Sequence, residues 1–281
     1  MVSNSAMSEL AQAFPDLAEN RRLSVLVPIL SLWRREIARF YRQRSRVIGV
    51  ILSPLLFWLV IGSGFGNSYR SGAGDQHYLQ YFFPGALLMI VLFTSIFTMM
   101  SVIEDRDRGF LSSVLVAPVS RSVIVLGKVL GGTTLAAVQG LLFLVFAPAV
   151  GVHFHVSNFL LIVVSVFLMA FALTALGFTL AWRMESAQAF HAIVNLFLIP
   201  LWLLSGALFA VNNASGWIQW VMRLNPLMYG LDVLRTALFP ATASMNQFSL
   251  TTSLIILVAF TVVIFGIAFL IVNRRTTQPA A

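Results

Sequence analysis

Cysteine is absent from this chain of 281 residues, and charged side chains are scarce. Without cysteine, the chain forms no disulfide and offers no thiol for catalysis or metal binding. Only 10% of its residues are charged, whereas a soluble domain carries about 25%. Because 59% of the residues are hydrophobic, this composition predicts an integral membrane protein.

Lysine is nearly absent as well, and its one position argues against an ATP-binding site in this chain. A phosphate-binding loop places Lys before Ser or Thr after a glycine-rich turn, but Lys128 precedes Val129. His153 and His155 are the nearest pair of metal-binding side chains, and no third ligand lies beside them. We therefore expect no cofactor, no metal site and no enzymatic activity in this chain.

The net charge of +8 is concentrated near one end of the sequence. Eight of the 18 basic residues lie between Arg21 and Arg46, directly before the first long apolar stretch. This is the positive-inside pattern of membrane proteins, and it adds attraction to anionic lipid. Membrane lipid is therefore the expected partner of this charge, and nucleic acid is not.

Residues 24–46 have the pattern of an amphipathic helix. Arginines recur at helical spacing on one face, at Arg35, Arg39, Arg42 and Arg46. The opposite face is apolar and aromatic, with Leu26, Ile29, Leu30, Trp33, Ile37, Phe40 and Tyr41. Such a helix lies in the membrane interface. It serves either as a lipid anchor and topology signal alone, or also as a basic surface for a cytoplasmic partner.

Six apolar stretches are long enough to cross a bilayer, which takes about 20 residues. They lie at residues 47–66, 81–102, 123–150, 158–182, 189–211 and 250–272. The chain thus divides into a polar tail (1–23), an interfacial amphipathic helix (24–46) and a six-span domain (47–281). The predicted fold class is all-α and integral to the membrane.

The basic residues also predict the orientation of the spans. With the first residues in the cytoplasm, 15 of the 18 basic residues fall on the cytoplasmic side. The other three fall outside: Arg70, Arg223 and Arg235. Reversing the orientation inverts this ratio, so we expect both termini to be cytoplasmic.

The densest charge in the chain lies between the second and third spans. Glu104, Asp105, Arg106, Asp107 and Arg108 are consecutive, and Gly109 follows them. The residues after Gly109 have apolar side chains at helical spacing until Pro118 stops them: Phe110, Leu111, Val114 and Leu115. This predicts a short cytoplasmic helix outside the bilayer.

Residues 212–249 predict two short external helices rather than a plain loop. Trp217, Trp220 and Leu224 share one helical face. Asn225 is placed to cap a second helix with Pro226 at its first position. We expect both helices to be re-entrant, dipping into the outer leaflet, where a helix satisfies its own backbone groups.

Polar side chains within the spans are candidates for a substrate path. They are Thr98, Gln139, Gln188, His191 and Asn195. Intramembrane polar groups often mark such paths, although mild ones also hold helices together by hydrogen bonds. Both interpretations stay open from the sequence. Gly127 and Gly131 form a small-xxx-small pair, which predicts close helix packing.

Three sequence segments together resemble the permease subunit of ABC exporters of the type-2 class. They are EDRDRGFLSSVLVAPVSR (104–121), GKVLGG (127–132) and LNPLMYGLDVLR (224–235). Together with the six spans and the interfacial helix, the resemblance covers nearly the whole chain. Phe110 departs from the family pattern, in which many members have Thr or Ser after the glycine.

The resemblance implies a homodimer bound to two cytoplasmic nucleotide-binding ATPase subunits, which bind ATP and Mg. Residues 104–115 would be the coupling helix that contacts the ATPase. The residues implied at this interface are Glu104, Asp105, Arg106, Asp107, Arg108, Gly109, Phe110, Leu111 and Arg121. The implied external element contains Asn225, Pro226, Tyr229 and Arg235.

The implied function is export of an amphipathic or lipid-linked substrate by alternating access, in a bacterial inner membrane. The alternative is a membrane scaffold or carrier that uses no ATP. An ion-coupled carrier normally needs an intramembrane carboxylate, and no Asp or Glu falls within the six stretches. A scaffold needs no such residue, so the sequence leaves it open.

Overall fold

The computed structural model describes residues 15–64, 78–116, 120–152, 156–240 and 248–273. These residues form helices joined by short turns, and no strand occurs among them. Among the described residues, six segments are long and apolar enough to cross a membrane, which confirms the predicted all-α membrane fold. They are Val47–Gly64, Tyr78–Asp107, Arg121–Val150, Asn158–Arg183, Ala187–Ala207 and Leu250–Asn273.

The helices are numbered α1 to α11 along the described chain. They are α1 (Pro15–Arg42), α2 (Arg44–Gly64), α3 (Tyr78–Thr98), α4 (Met100–Asp107), α5 (Phe110–Val116), α6 (Arg121–Phe143), α7 (Val156–Arg183), α8 (Ala187–Trp202), α9 (Gly216–Leu224), α10 (Pro226–Leu238) and α11 (Leu250–Asn273). A 3₁₀ helix (Leu144–Val150) extends α6, and a π-helical turn (Leu203–Ala207) extends α8. A 3₁₀ turn (Val211–Asn213) precedes α9.

Helix α3 lies at the centre of the bundle and packs against α2, α6 and α7. Phe82, Phe83 and Leu87 are fully buried. Close approach to α7 requires a glycine, because a Cβ at Gly177 would lie 3.0 Å from the Cα of Ile96. Burial of α3 on nearly all sides makes it the element against which the other spans are positioned.

The amphipathic helix α1 packs along the first half of α6. A Cβ at Gly127 would lie 2.6 Å from the Cβ of Leu32, and one at Gly131 would lie 2.7 Å from the Cβ of Glu36. The predicted small-xxx-small packing is therefore present, with α1 as its partner. Helix α1 begins at Pro15, before the expected start at residue 24. The division of the chain at residues 23 and 46 stays a prediction.

The predicted short helix over residues 104–115 is two helices in the structure. Helix α4 continues the second span to Asp107, and α5 begins at Phe110. Gly109 separates them with a φ of 72°, a left-handed conformation that glycine adopts without strain. Its N–H donates to the Arg106 carbonyl and closes the end of α4. Pro118, the predicted stop, lies outside the described residues, as do His153 and His155.

The two short helices predicted within residues 212–249 are present as α9 and α10, and their external location stays a prediction. The backbone N–H of Leu227 donates to the Asn225 side chain at 3.0 Å, and Pro226 is the first helical residue. The predicted cap is therefore confirmed. Trp217, Trp220 and Leu224 form an exposed apolar face on α9. Their insertion into the outer leaflet stays a prediction.

Candidate functional site

Charged side chains from three helices meet at the end of the bundle where α4 ends and α6 begins, here called the α1 end. We define the ionic cluster as the residues of α1, α4 and α6 that bond to one another there. They are Arg35, Glu36, Arg39, Ser101, Glu104, Asp105 and Lys128. Three formal positive charges face three negative ones, so the cluster is neutral as a whole.

Asp105 lies at the centre of the ionic cluster and has no exposed surface. Arg35 donates to both of its carboxylate oxygens, at 2.7 Å each, and Arg39 donates to one of them at 2.7 Å. Lys128 also donates to Asp105. The hydrogen bond to Asp105 raises the pKa of the Arg35 guanidinium. A buried carboxylate with this many charged donors is fully compensated.

Lys128 connects α6 to both other helices of the ionic cluster. It is 1% exposed and lies seven residues into the third span, about 10 Å from its start. Its ammonium group donates to Glu36, to Asp105 and, at 3.1 Å, to the Ser101 hydroxyl. Ser101 in turn donates to Glu36 at 2.7 Å. All three hydrogens of the ammonium group therefore have acceptors.

Glu104 completes the ionic cluster nearer to its surface. It accepts from Arg39, and the two side chains are 19% and 13% exposed. Arg108 approaches Glu104 only to 3.9 Å and is 68% exposed, which makes this contact weak. The strong ion pairs of Glu104 and Asp105 are therefore with α1 and α6, inside the chain.

Arg106 points away from the ionic cluster and contacts the turn between α7 and α8. Its two terminal nitrogens donate to the carbonyls of Met184 and Trp182, at 2.6 Å each. Its guanidinium also lies 5.9 Å from the centre of the Trp182 ring, within the range of a cation–π contact. Asp105 thus connects the end of the second span to α1, and Arg106 connects it to the end of the fourth span and to the turn that follows.

The short helix α5 is held against α1 by an aromatic contact. The Arg35 guanidinium lies 3.6 Å from the centre of the Phe110 ring, and Leu111 is buried. The other residues of α5 are half-buried or exposed at the surface of the chain, and Val116 is 86% exposed. Phe110, the residue that departs from the family pattern, therefore fixes α5 in place.

The remaining residues predicted at this end of the chain are more exposed. Asp107 is exposed at the end of α4, Arg108 and Gly109 form the exposed turn that follows, and Arg42 is exposed at the end of α1. Arg121 donates to the Val272 carbonyl at 3.4 Å, which links α6 to the end of α11. Arg46 lies in the first turn of α2.

The five polar residues of the candidate substrate path do not share one surface. Thr98 donates to the Thr94 carbonyl at 2.6 Å, and Thr94 donates to Gln139 at 2.5 Å, all buried between α3 and α6. Gln188, His191 and Asn195 instead lie exposed on one face of α8. Gln139 thus takes part in an interhelical hydrogen bond and Thr98 in a bond within α3, whereas the second group faces outward from the chain.

The element predicted to be external, α9 and α10, is held together by side-chain contacts at the end of the bundle opposite to the α1 end. The Tyr229 hydroxyl donates to the Arg223 carbonyl at 2.7 Å, and burial raises its pKa. Arg235 donates to the Gly206 carbonyl at 2.6 Å. Asp232 is 4% exposed, and burial raises its pKa to about 6.

Comparison with known proteins decides the family. The sequence profile of the ABC-2 type transporter family matches residues 28–239, which include α2 to α10 and the second half of α1. The chain belongs to the ABC-2 type transporter family. It is the membrane subunit of an ABC transporter, and a separate ATPase subunit hydrolyses the ATP.

Several curated relatives of this ABC-2 type chain are transport permeases. It is 28% identical to the transport permease ycf38 of Cyanophora paradoxa over 248 residues, which is 83% of this chain and 85% of the relative. It is 26% identical to the inner membrane transport permease YadH of Escherichia coli K12 over 262 residues, 88% and 95% of the two chains. It is also 26% identical to the daunorubicin resistance ABC transporter permease protein DrrB1 of Streptomyces coeruleorubidus over 222 residues, 76% of each chain.

Sequence reasoning missed two central residues of this ABC-2 type chain, Glu36 and Lys128. Glu36 lies among the arginines of the amphipathic helix, and the sequence analysis considered only the basic residues there. Lys128 entered the sequence analysis through the phosphate-binding loop, the count of basic residues and the GKVLGG segment, and none of these assigns it a buried partner. The available signal was a lone cation inside an otherwise apolar span, which requires a buried partner. The glycines on either side of Lys128 marked the helix face where that partner lies.

Proposed function

We propose that this chain is the permease of an ABC exporter that works as a homodimer with two cytoplasmic ATPase subunits. The ATPase subunits bind ATP and Mg, and the permease moves an amphipathic or lipid-linked substrate by alternating access. The ionic cluster is the observation that carries the proposal, because it joins a surface helix to the ends of two spans. The α1 end is then the cytoplasmic end, in agreement with its excess of basic residues.

The ATPase subunit docks on α5 in this proposal. This helix lies at the end of the bundle and exposes Ser112, Ser113, Leu115 and Val116. A short helix with an exposed apolar edge needs a partner to cover it. The Phe110–Arg35 contact holds α5 against α1, so a force on α5 also acts on α1.

The ionic cluster transmits this force to the spans. Arg35 and Lys128 both bond to Asp105, and so α1, the second span and the third span are joined at one buried residue. Arg106 extends the connection to the turn before the fifth span. Buried charge pairs resist separation, because pulling one partner away leaves an uncompensated charge. The four elements therefore move as a unit when the ATPase closes.

The homodimer and the substrate path are proposed from the exposed face of α8. Gln188, His191 and Asn195 lie on that face, where direct contact with lipid tails is unfavourable for polar groups. The ring of His191 lies 5.1 Å from that of Phe97, on the one half-exposed side of α3. A second copy facing this surface would enclose a path lined by both polar and aromatic groups, which suits an amphipathic substrate.

The proposed location is a bacterial inner membrane with both termini in the cytoplasm. Arg34, Arg42 and Arg44 are exposed on or next to α1 and lie outside the ionic cluster. An exposed basic row on an interfacial helix attracts anionic lipid of the cytoplasmic leaflet. These arginines, rather than Arg35 and Arg39, are the ones we assign to membrane lipid.

Purification of the tagged chain from its native membrane tests the proposal. Mass spectrometry is expected to find a P-loop ATPase in equal amount. Val116→Asp is expected to remove it, because the substitution places a charge on the exposed edge of α5. Thr251→Asp is the matched control, since Thr251 is exposed at the opposite end of the bundle. Absence of any ATPase in mild detergent with nucleotide present would instead favour a membrane scaffold.

A further inference from the structure

The fifth span is broken at its outer end, and the break leaves backbone carbonyls without partners inside the helix. Helix α8 ends at Trp202, and the π-helical turn Leu203–Ala207 follows it. Within that turn Gly206 has a φ of 88°, where a side chain would be strained. A regular helix satisfies its carbonyls along its own axis, and a broken one needs other donors.

Side chains from neighbouring elements supply these donors. The Gly206 carbonyl accepts from the Tyr81 hydroxyl at 3.1 Å and from Arg235 at 2.6 Å. The Leu208 carbonyl accepts from the Tyr78 hydroxyl at 3.0 Å, and Asn225 donates to the Leu201 carbonyl at 2.6 Å. The broken segment is therefore fastened to α3 and to the external helix α10.

Arg235 is the charged member of this set and makes two of its contacts. Besides its hydrogen bond to Gly206, its guanidinium lies 4.5 Å from the centre of the Tyr81 ring. A hydrogen bond from a charged donor is stronger than one from a hydroxyl, and the cation–π contact adds to it. Arg235 thus connects three elements at one point: α10, the break and the start of α3.

We propose that Arg235 is a positioning residue for transport, which holds the outer segment of the fifth span closed against the second span. Release of substrate to the outside requires this segment to move away from α3, and the bond between Arg235 and Gly206 must then break. The proposal rests on the proposed function in placing the substrate path along α8 and this end of the bundle on the outer side of the membrane. Gly206 supplies the hinge, since its backbone conformation is accessible on either side of the movement.

The absence of cysteine from the chain makes a direct test simple. Ser205 lies in the break, is 1% exposed and donates to the Trp202 carbonyl at 2.6 Å. Ser205→Cys introduces one thiol of nearly the same size, which a membrane-impermeant maleimide added outside cells reaches only when the segment opens. Ser165→Cys is the control, because Ser165 is also fully buried but lies in α7, away from the break.

Labelling of Ser205→Cys is expected to be slow in the otherwise unchanged chain and about tenfold or more faster with Arg235→Gln, which removes a charge-assisted bond. Arg235→Lys keeps the charge and is expected to restore much of the protection. Tyr81→Phe removes only a hydroxyl donor and is expected to give a several-fold rise, which provides a second test if Arg235→Gln does not reach the membrane.

Two results would overturn the proposal. One is unchanged labelling of Ser205→Cys in both Arg235→Gln and Tyr81→Phe. The other is an equal rise at Ser165→Cys, which would mean that the substitutions loosen the whole bundle. The assay needs neither ATP nor the ATPase subunit. Its outcome is therefore independent of whether the proposed partner is found.

Discussion

Replacement of Lys128 by methionine tests the energetic role of the ionic cluster. Methionine keeps the length and the apolar stem of lysine but removes the charge that faces Glu36 and Asp105. Asp105 retains Arg35 and Arg39, but Glu36 is 2% exposed and loses its ion-pair partner. Removing one partner of a buried ion pair costs about 3–5 kcal/mol. The expected fall in the melting temperature is roughly 5–15 °C.

A double substitution separates lost charge balance from lost packing. Glu36→Gln combined with Lys128→Met removes one charge of each sign, so the ionic cluster is again neutral. Replacing a buried pair by uncharged groups is often nearly neutral in stability, so we expect the double variant to recover at least half of the loss. Arg108→Ala serves as the control, because its exposed contact with Glu104 contributes about 0.5 kcal/mol or less.

Thermal unfolding in detergent, monitored by size-exclusion chromatography, gives the melting temperatures of the unchanged protein and of the three variants. The interpretation of the ionic cluster would be wrong if Lys128→Met unfolded at the temperature of the unchanged chain. It would also be wrong if the double variant were less stable than Lys128→Met alone, since the two losses would then add as independent contacts do.

Three further predictions follow from other contacts. Arg106→Gln is expected to leave ATPase binding intact but to lower transport per ATP hydrolysed several-fold, because it removes the hydrogen bonds from α4 to the carbonyls before α8. Transport and ATPase rates measured on the same sample test this, and Arg106→Lys is expected to recover part of the loss. Phe110→Ala is expected to weaken ATPase association about two- to five-fold, because the cation–π contact with Arg35 is lost. Phe110→Tyr keeps an aromatic ring and is expected to keep the affinity. Titration with the ATPase subunit measures both. Burial raises the pKa of Asp232 from 3.8 to about 6. Between these values the folded protein binds a proton that the unfolded chain has lost, so stability falls as pH rises from about 4 to about 6. Melting temperatures measured across this pH range are expected to show the fall, and Asp232→Asn is expected to abolish it.

The sequence predicted those features that depend on local pattern. Apolar length revealed the six spans, and Asn225 with Pro226 revealed the start of α10. Gly127 and Gly131 revealed a packing face, because small residues at this spacing permit close helix approach. These inferences need only a few neighbouring residues, and the backbone geometry of helices supplies the rest.

The features that sequence reasoning missed depend on contacts between distant residues. Glu36 and Lys128 are 92 positions apart, and their pairing requires α1 to lie along α6. The opposite directions of Asp105 and Arg106 depend on which elements flank α4. Likewise, the break at Gly109 was not predicted, because the charged residues before it continue the second span instead of beginning a separate helix.

Cross-linking from α5 tests the central claim most directly. A single cysteine at Val116, in this chain without other cysteines, carries a photoactivated cross-linker in native membranes. The account predicts one cross-linked product that contains a P-loop ATPase, and no such product from a cysteine at Thr251. Capture of no ATPase at Val116, or equal capture at both positions, would contradict the assignment of α5 as the surface through which ATP hydrolysis drives transport.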